Sequence, residues 1–459
     1  MGESLKIFLD KKHKRECVIM STPPKSMPLS YDSLRHVICH LEPNLRRQIV
    51  DSMPGIRSAD KSTSVKIRDL SFFRNGLNLN DTMYQLGIIR LSREGETPST
   101  IVHQNNRGGT QHELNQFGVE DNELEMKLAP GDILLRCQQL VGVQSNIEQA
   151  QARRDRMEQY LRRSLERKNS MVDGLQQEER ERFLERSIHT ARVAFETSQL
   201  HLDGLIRQRD NVSSPFDMYT QLTKTSSDGI VSIERFNYNQ DLAAALKYLT
   251  TKLLNNDVLR IHSLTFSTSY QMILRLPKGL KLSARNLFIQ GAFSEFIDRL
   301  KPILADLDRP LESLRIMYFR LEDCTHPLVQ NTNLLIVNGL PIDLARLPVC
   351  QSITNKKVVF VNGNSFDSDD YVALIEHWKE AGGRDVGTCF TFYMREEETT
   401  QKAFRRVKER FNKDVKGERL LTIPFPNSTQ LNISYEAVIG ELEYGMPWFM
   451  KMEIVLLNE

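Results

Sequence analysis

The spacing of hydrophobic residues changes several times along the 459-residue chain, and each change predicts a different element. Near the start, one apolar helix face is formed at i, i+3, i+4 and i+7 by Leu34, Val37, Ile38 and Leu41. Pro28 suits the start of this helix, and Pro43 ends it because proline lacks the amide donor. A second short helix follows around Leu45 and Ile49. Two short amphipathic helices cannot bury their apolar faces alone, so we expect them to pack on the next domain or on another protein.

Alternation with a period of two begins near Val65 and predicts strands over residues 65–70 and 83–91. Residues 94–123 are rich in Gly, Asn, Gln and Glu and predict a long loop. Ile133–Leu135 follow a Pro-Gly-Asp turn and predict a further strand. We therefore expect a small β-rich domain over residues 60–141.

Residues 145–210 contain no proline, and charges of both signs alternate densely along them. Apolar residues recur there at spacings of three and four, most regularly from Leu184 to Leu205. Such heptad-like spacing predicts a coiled-coil-like helical hairpin that folds back near Asn169–Gly174. Homodimerisation through residues 145–210 is the alternative, because a second copy could cover the same apolar seam.

A repeat begins near Val258, in which two apolar residues flank any one residue. Its copies are Leu264-x-Phe266, Leu287-x-Ile289, Leu314-x-Ile316, Leu334-x-Ile336, Val358-x-Phe360 and Phe390-x-Phe392. The first five copies lie 20 to 27 residues apart, close to the leucine-rich-repeat period of about 20–29 residues. Between them, helix faces such as Val372, Ile375 and Trp378 suit return elements. We expect a parallel leucine-rich-repeat-like α/β array over 258–394.

The predicted fold class is therefore multidomain, of mixed α+β and α/β type. It consists of a mobile tail at 1–26, the N-terminal helices with the β-rich domain at 27–141, the charged helical hairpin at 145–210, and a leucine-rich-repeat-like α/β domain at 215–459. Strands predicted near residues 420–423, 430–435 and 448–457 would close that last domain with an antiparallel edge.

The stretch Met27–Ala59 resembles an F-box, the helical motif that docks the adaptor of a cullin-type ubiquitin ligase. Further phrases, among them RGG…FG…PGDILLR, RLPKGLKLSARNLFIQG and LIEHWKEAG, resemble a nematode-expanded family of F-box-associated-type proteins with a domain of unknown function in the N-terminal half. The resemblance implies an interaction module linked to ubiquitin ligase machinery. The residues it assigns to docking are Pro28, Leu34, Val37, Ile38 and Leu41. The alternative is that these helices cap the chain's own next domain.

Net charge, cysteine spacing and hydropathy indicate which partners and which cellular compartment to expect. The formal net charge is +2, so no strong global field favours nucleic acid or a membrane surface. The six cysteines are scattered without a C-x-x-C pair, which predicts reduced thiols inside the cell. No apolar run approaches the ~18 residues of a membrane span. We expect an intracellular protein, cytoplasmic or nuclear, and the basic run Lys11–Arg15 fits a solvated tail.

The chain shows no catalytic motif, phosphate loop or nucleophile elbow, so we expect no enzyme activity, cofactor or small-molecule substrate. His36, Cys39 and His40 have a spacing that could ligate zinc, but a closed structural site needs a fourth ligand, and we expect no metal. The basic helix around Arg405 and Arg406 is interpreted as a solvated face, and nucleic-acid binding is not expected. The predicted function is a non-enzymatic protein-interaction scaffold, with a structural, oligomerising role through residues 145–210 as the alternative.

Overall fold

The computed structural model describes residues 30–136, 146–169, 177–239, 241–254, 258–267, 271–340, 346–411, 419–440 and 442–457. The predicted tail at 1–26 and Pro28 lie outside these residues. The α-helices are α1 (Tyr31–His40), α2 (Pro43–Ser52), α3 (Arg57–Lys61), α4 (Ser99–Asn106), α5 (Asn122–Met126), α6 (Ile147–Asn169), α7 (Gln177–Asp210), α8 (Leu242–Leu254), α9 (Phe293–Leu300), α10 (Pro327–Gln330), α11 (Arg346–Ser352), α12 (Ser368–Glu380) and α13 (Glu397–Phe411).

The strands are β1 (Lys66–Phe73), β2 (Gly76–Leu79), β3 (Thr82–Ser92), β4 (Ile133–Arg136), β5 (Phe216–Ser226), β6 (Val231–Asn237), β7 (Val258–Phe266), β8 (Gln271–Leu274), β9 (Lys281–Ala292), β10 (Ser313–Tyr318), β11 (Leu335–Val337), β12 (Lys357–Phe360), β13 (Cys389–Met394), β14 (Leu420–Phe425), β15 (Thr429–Ala437) and β16 (Trp448–Leu456). Fourteen of them form one mixed sheet, in the order β14-β15-β16-β13-β12-β11-β10-β9-β7-β1-β2-β3-β5-β6. The remaining two, β4 and β8, pair with each other.

This single sheet shows that the predicted fold class is wrong. The β-rich segment and the repeat segment were expected to form separate units, but β1 pairs in parallel with β7, and Leu70 lies opposite Leu264. The two segments therefore share one sheet and one apolar core. A local hydrophobic pattern predicts each strand but carries no information about which distant strand it pairs with.

The strands that carry the repeat, β7 and β9 to β13, are parallel neighbours in the middle of the sheet. They do not form an independent array, because β1 continues the sheet on one side and β16 on the other. On β11 the side chains that face the core are Leu335 and Val337, one residue later than the expected pair. The strands β14, β15 and β16 close this end of the sheet in antiparallel fashion.

A long coiled-coil hairpin is not present either, and that part of the prediction is also wrong. Helices α6 and α7 lie against each other, but α7 is fixed to the rest of the chain through α4. Ser99 and Thr100 donate hydrogen bonds to Glu196 on α7, the Ser99 contact at 2.6 Å. The buried positions between the helices include the small residues Ala150, Ser164, Ala191 and Ser198. Because these buried residues are small, α6 and α7 bury little apolar surface between them. The pair is therefore better stabilised by packing on the rest of the chain than as an independent coiled coil.

The core lies between one face of the sheet and helices α8, α9, α12 and α13. Its centre is aromatic: the rings of Phe360 and Phe392 stack at 4.8 Å, and the Trp378 ring meets Phe390 edge-on at 4.9 Å. Alternation along β13 directs Phe390 and Phe392 to the same face, where α12 covers them. Core packing thus fixes which face of the sheet is left for other contacts.

Replacing Phe390 by alanine tests this core. The ring is fully buried, so Phe390→Ala should lower the free energy of unfolding by about 3–5 kcal/mol through lost burial and a residual cavity. Urea denaturation followed by circular dichroism measures the loss. Tyr318→Ala is the control, because Tyr318 is 51% exposed and its loss should change the free energy by no more than about 0.5 kcal/mol. Equal effects of the two changes would contradict the assigned core.

Candidate interaction surfaces

The structure places the predicted docking residues of α1 in different environments. The Ile38 side chain is 1% exposed, and Leu34 and Leu41 are half-buried. Val37 is 45% exposed, and α1 packs against α3 of the same chain. Pro28 lies outside the described residues. The expected apolar face is thus turned largely inward, and among the described members of the set Val37 is the one that a partner could reach freely.

A buried arginine fixes α2 to the segment that leads into β1. The Arg46 side chain is 2% exposed, and its Nε donates to the carboxylate of the buried Asp60. Its Nη2 atom donates to the carbonyls of Asp60 at 2.6 Å and Thr63 at 2.7 Å, and its Nη1 atom donates to the Ser64 carbonyl at 3.1 Å. Satisfying a buried guanidinium in this way orders the backbone over residues 60–64.

A second polar contact joins α2 to the turn between β2 and β3. The Asn44 amide donates to the Leu79 carbonyl at 3.0 Å, and the Tyr84 hydroxyl donates to Asn44 Oδ1 at 2.9 Å. Burial raises the pKa of Tyr84 to about 12, so its hydroxyl keeps its proton and remains a donor. Asn80 donates to Glu42, which also caps α2. The sequence pattern missed these anchors, because it assigns polar residues of α2 to the solvent side.

Replacing Arg46 tests whether the N-terminal helices depend on this anchor. Arg46→Ala leaves the buried carbonyls of Asp60, Thr63 and Ser64 without their donor and the Asp60 carboxylate paired with Arg47 alone, so it should cost about 3–5 kcal/mol of unfolding free energy. Arg57→Ala on α3 is the matched control, since Arg57 is exposed, and it should be nearly neutral. Urea denaturation gives both values. If Arg46→Ala left the free energy of unfolding unchanged, the N-terminal helices would not depend on the contacts of Arg46.

The sheet face opposite the core carries the second candidate surface, here called the open face. Strand register aligns one row of its side chains across nine strands: Ser71, Thr265, Phe288, Arg315, Ile336, Val359, Thr391, Lys451 and Ser434. At a spacing of about 4.8 Å per strand, the row is ~38 Å long. Apart from the buried Ile336, these side chains are half-buried. Ile336 does not belong to the main core cluster, so the row is separate from the helix-covered core.

Arg315 lies at the centre of an aromatic group on the open face. Its guanidinium carbon is 4.6 Å from the Phe288 ring centroid and 5.1 Å from that of Tyr444, and its Nε donates to Asn338 at 2.7 Å. The Tyr444 ring meets Tyr393 edge-on at 5.0 Å. Stacking of this kind holds the arginine plane in a fixed orientation.

The aromatic group around Arg315 extends to β16. The rings of Tyr393 and Phe449 lie 5.9 Å apart, and register places the two residues opposite each other. We call Phe288, Arg315, Tyr393, Tyr444 and Phe449 the open-face cluster. All five side chains are half-buried, so each presents part of its surface outward. Tyr444 has a φ of 64° in the loop between β15 and β16, a left-handed backbone conformation that few residues other than glycine adopt.

Polar residues border the cluster toward β16. Lys451 donates to Glu453 at a contact of 2.6 Å, which raises the pKa of Lys451 and keeps it cationic. Burial raises the pKa of the Cys389 thiol, so it stays protonated beside Thr391. A protonated thiol is a poor nucleophile. The open face therefore offers apolar contact and hydrogen bonds, and its described residues show no activated nucleophile.

A small cavity lies between β3, α8, β8 and the turn that joins β1 to β2, lined by residues that include Asn75, Glu113 and Arg275. Glu113 accepts hydrogen bonds from the Ala243 amide and the Tyr238 hydroxyl, both at 2.7 Å. Arg275 donates to Asp132 at 2.8 Å. These contacts tie distant parts of the chain together. Since its carboxylate and guanidinium groups already pair within the chain, we interpret the cavity as structural.

Two further predicted features have structural explanations. The basic helix is α13, where Arg406 pairs with Asp369 and Arg410 pairs with Glu376 of the neighbouring α12. His36, Cys39 and His40 lie together on α1, with their possible ligand atoms within 4.8 Å of one another. The sequence spacing located this group correctly, although no metal was expected there. None of the helices within the described ranges is long and apolar enough to span a membrane.

Comparison with known proteins finds a family match for one part of the chain. Residues 241–396 match the family of a domain of unknown function, DUF3557. The match runs from the region of α8 to the end of β13, so it includes Phe288, Arg315 and Tyr393 of the open-face cluster. The resemblance had placed such a domain in the N-terminal half, and the match neither includes an F-box nor indicates a nematode origin. No curated protein and no solved structure matches the chain.

Proposed function

We propose that the protein is a non-enzymatic interaction scaffold whose open face binds a target protein. The observation that supports this most is the open-face cluster, where one oriented arginine lies among four aromatic rings, all of them half-buried, on the sheet face opposite the core. Tyrosine, phenylalanine and arginine are enriched at protein interfaces, and arginine and tyrosine are common among the residues that contribute most binding energy.

The surroundings of the cluster fit the same role. Val359 extends the apolar centre along the row, while Lys451, Glu453 and Asn432 form a polar border. A protein interface commonly has this arrangement of an apolar centre with a hydrated polar rim. The row is ~38 Å long, which is enough for an interface of ordinary size.

The chemistry of the cluster indicates what the target presents. Phe288, Val359 and Phe449 favour apolar side chains in the target. Asn338 and the two stacked rings already hold the Arg315 plane, so little side-chain entropy is lost when a target binds. We therefore expect the target to present an apolar surface.

Introducing a charge into the apolar centre tests the proposal. Val359→Glu places a carboxylate in the middle of the open face and should weaken target binding by about 30-fold, equivalent to ~2 kcal/mol at a central contact. Affinity capture followed by mass spectrometry would identify proteins retained by the wild type and lost with this variant. Binding constants measured on those proteins would then give the fold-change.

Val212→Glu is the matched control for that experiment. Val212 is 55% exposed and follows α7, away from the open-face row, so the same chemical change there should leave binding intact. If both variants bind as the wild type does, or both lose the target equally, the open face is not the binding surface. Circular dichroism checks that each variant is folded.

A second candidate function concerns the N-terminal helices, and we infer it from exposed apolar residues. Tyr31, Val37, Leu45 and Met53 are each 45–50% exposed on or beside α1 and α2. The proposal is that this surface docks the adaptor of a cullin-type ubiquitin ligase, while the open face recruits the target. That role requires an intracellular location, cytoplasmic or nuclear, which is part of the proposal.

Val37→Glu tests adaptor docking, and Val102→Glu on α4 is its control, because the two valines are 45% and 42% exposed. We expect purified adaptor to be retained by the wild type and by the Val102 variant, with at least about tenfold weaker binding to the Val37 variant. A pull-down with purified proteins measures retention. If the wild type does not bind the adaptor, this second proposal is wrong, and the proposal for the open face is unaffected.

A further inference from the structure

The solvent side of α1 brings three metal-binding side chains together. His36, Cys39 and His40 place their possible ligand atoms within 4.8 Å of one another, and the two imidazole rings meet edge-on at 5.1 Å. Both histidines are exposed and Cys39 is half-buried. The buried Ile38 points to the opposite side of the helix, so the two histidines lie away from the side on which α1 is packed.

We propose that His36, Cys39 and His40 form a binding site for a zinc-like transition metal ion. Imidazole nitrogen and thiolate sulfur are the preferred ligands of Zn²⁺, and residues at i, i+3 and i+4 lie on one side of a helix. Three protein ligands leave a fourth tetrahedral position for water or for a ligand from a partner. This goes beyond the proposed interaction function and does not depend on it.

The geometry needs only side-chain movement. Metal–ligand distances of about 2.0–2.3 Å require donor atoms ~3.3–3.8 Å apart, somewhat closer than in the structure. Both histidines are exposed, so rotation about their side-chain bonds can bring the rings in without disturbing the helix. The Cys39 thiol now lies 2.9 Å from the His36 carbonyl. On binding, it would lose its proton and exchange this contact for a metal–sulfur bond.

Asp32 adds a favourable charge nearby. It is exposed and precedes His36 by one helical turn, which places it on the same side of α1. A carboxylate at this position offers a hydrogen-bond acceptor to a ring N–H of His36, the arrangement that commonly orients a ligating histidine. The site thus combines three ligands with a carboxylate one helical turn before the first of them, His36.

Titration of the reduced full-length protein with Co²⁺ tests the site, since Co²⁺ substitutes for Zn²⁺ and its thiolate complexes absorb in the near ultraviolet. We expect one equivalent to produce a thiolate charge-transfer band that Zn²⁺ abolishes. Cys39→Ser should remove the band, and His36→Gln with His40→Gln should weaken binding by about tenfold or more. Cys389→Ser is the control and should leave the band unchanged. A band that persists in Cys39→Ser would overturn the proposal, as would the absence of any band in the wild type.

Alkylation read at the level of single peptides gives an independent result. Zn²⁺ should slow the reaction of Cys39 with N-ethylmaleimide in the wild type but not in the double histidine variant. Equal alkylation of Cys39 with and without Zn²⁺ would contradict the site. Because each cysteine is read separately, zinc bound at other thiols of the chain would be recognised and would not count in its favour.

Discussion

The parallel pairing of β1 with β7 is the interaction on which the rest of the structure depends. Leu70 lies opposite Leu264, Phe72 lies opposite Phe266, and the two phenylalanine rings stack at 5.6 Å. The Ser267 amide extends the ladder by donating to the Phe72 carbonyl at 2.8 Å. This pairing joins the antiparallel N-terminal strands to the parallel strands that follow. Without it, neither the shared core nor the continuous open face would exist.

Helices α8, α9, α12 and α13 cover one face of the sheet, and the opposite face of its middle strands is left partly accessible. Alternation along each strand sends leucine, isoleucine and phenylalanine to the core, and the intervening residues to the open face. The register then decides which of these intervening residues become neighbours. Phe288, Arg315 and Ile336 come from three separate strands and lie side by side only because β9, β10 and β11 pair in register.

The sequence pattern predicted elements better than it predicted their arrangement. The apolar pairs such as Phe390-x-Phe392 lie in real strands, and Val372, Ile375 and Trp378 do line one side of α12. These features depend on neighbours in sequence, which a periodicity detects. The pairing of β1 with β7 depends on residues far apart in the chain, so the multidomain fold class was wrong.

The same difference between local and long-range features applies to the candidate surfaces. Spacing on α1 located the histidine and cysteine group, because its members are only a helical turn apart. It could not show that Ile38 is buried by the chain itself, nor that Arg46 holds Asp60 in the interior. Tyr444 reaches Arg315 from the loop between β15 and β16, and no local pattern relates the two residues. Sequence periodicity alone therefore cannot predict a surface whose residues are brought together by tertiary contacts.

Site-specific photo-crosslinking tests the central claim, that the open face is the binding surface, most directly. A photoreactive amino acid would replace Val359 on the open face or, in a second protein, the exposed Lys379 on the helical layer. We expect a target captured by the wild type to crosslink strongly from position 359 and not from position 379. Crosslinking from position 379 alone, or equally from both, would contradict it.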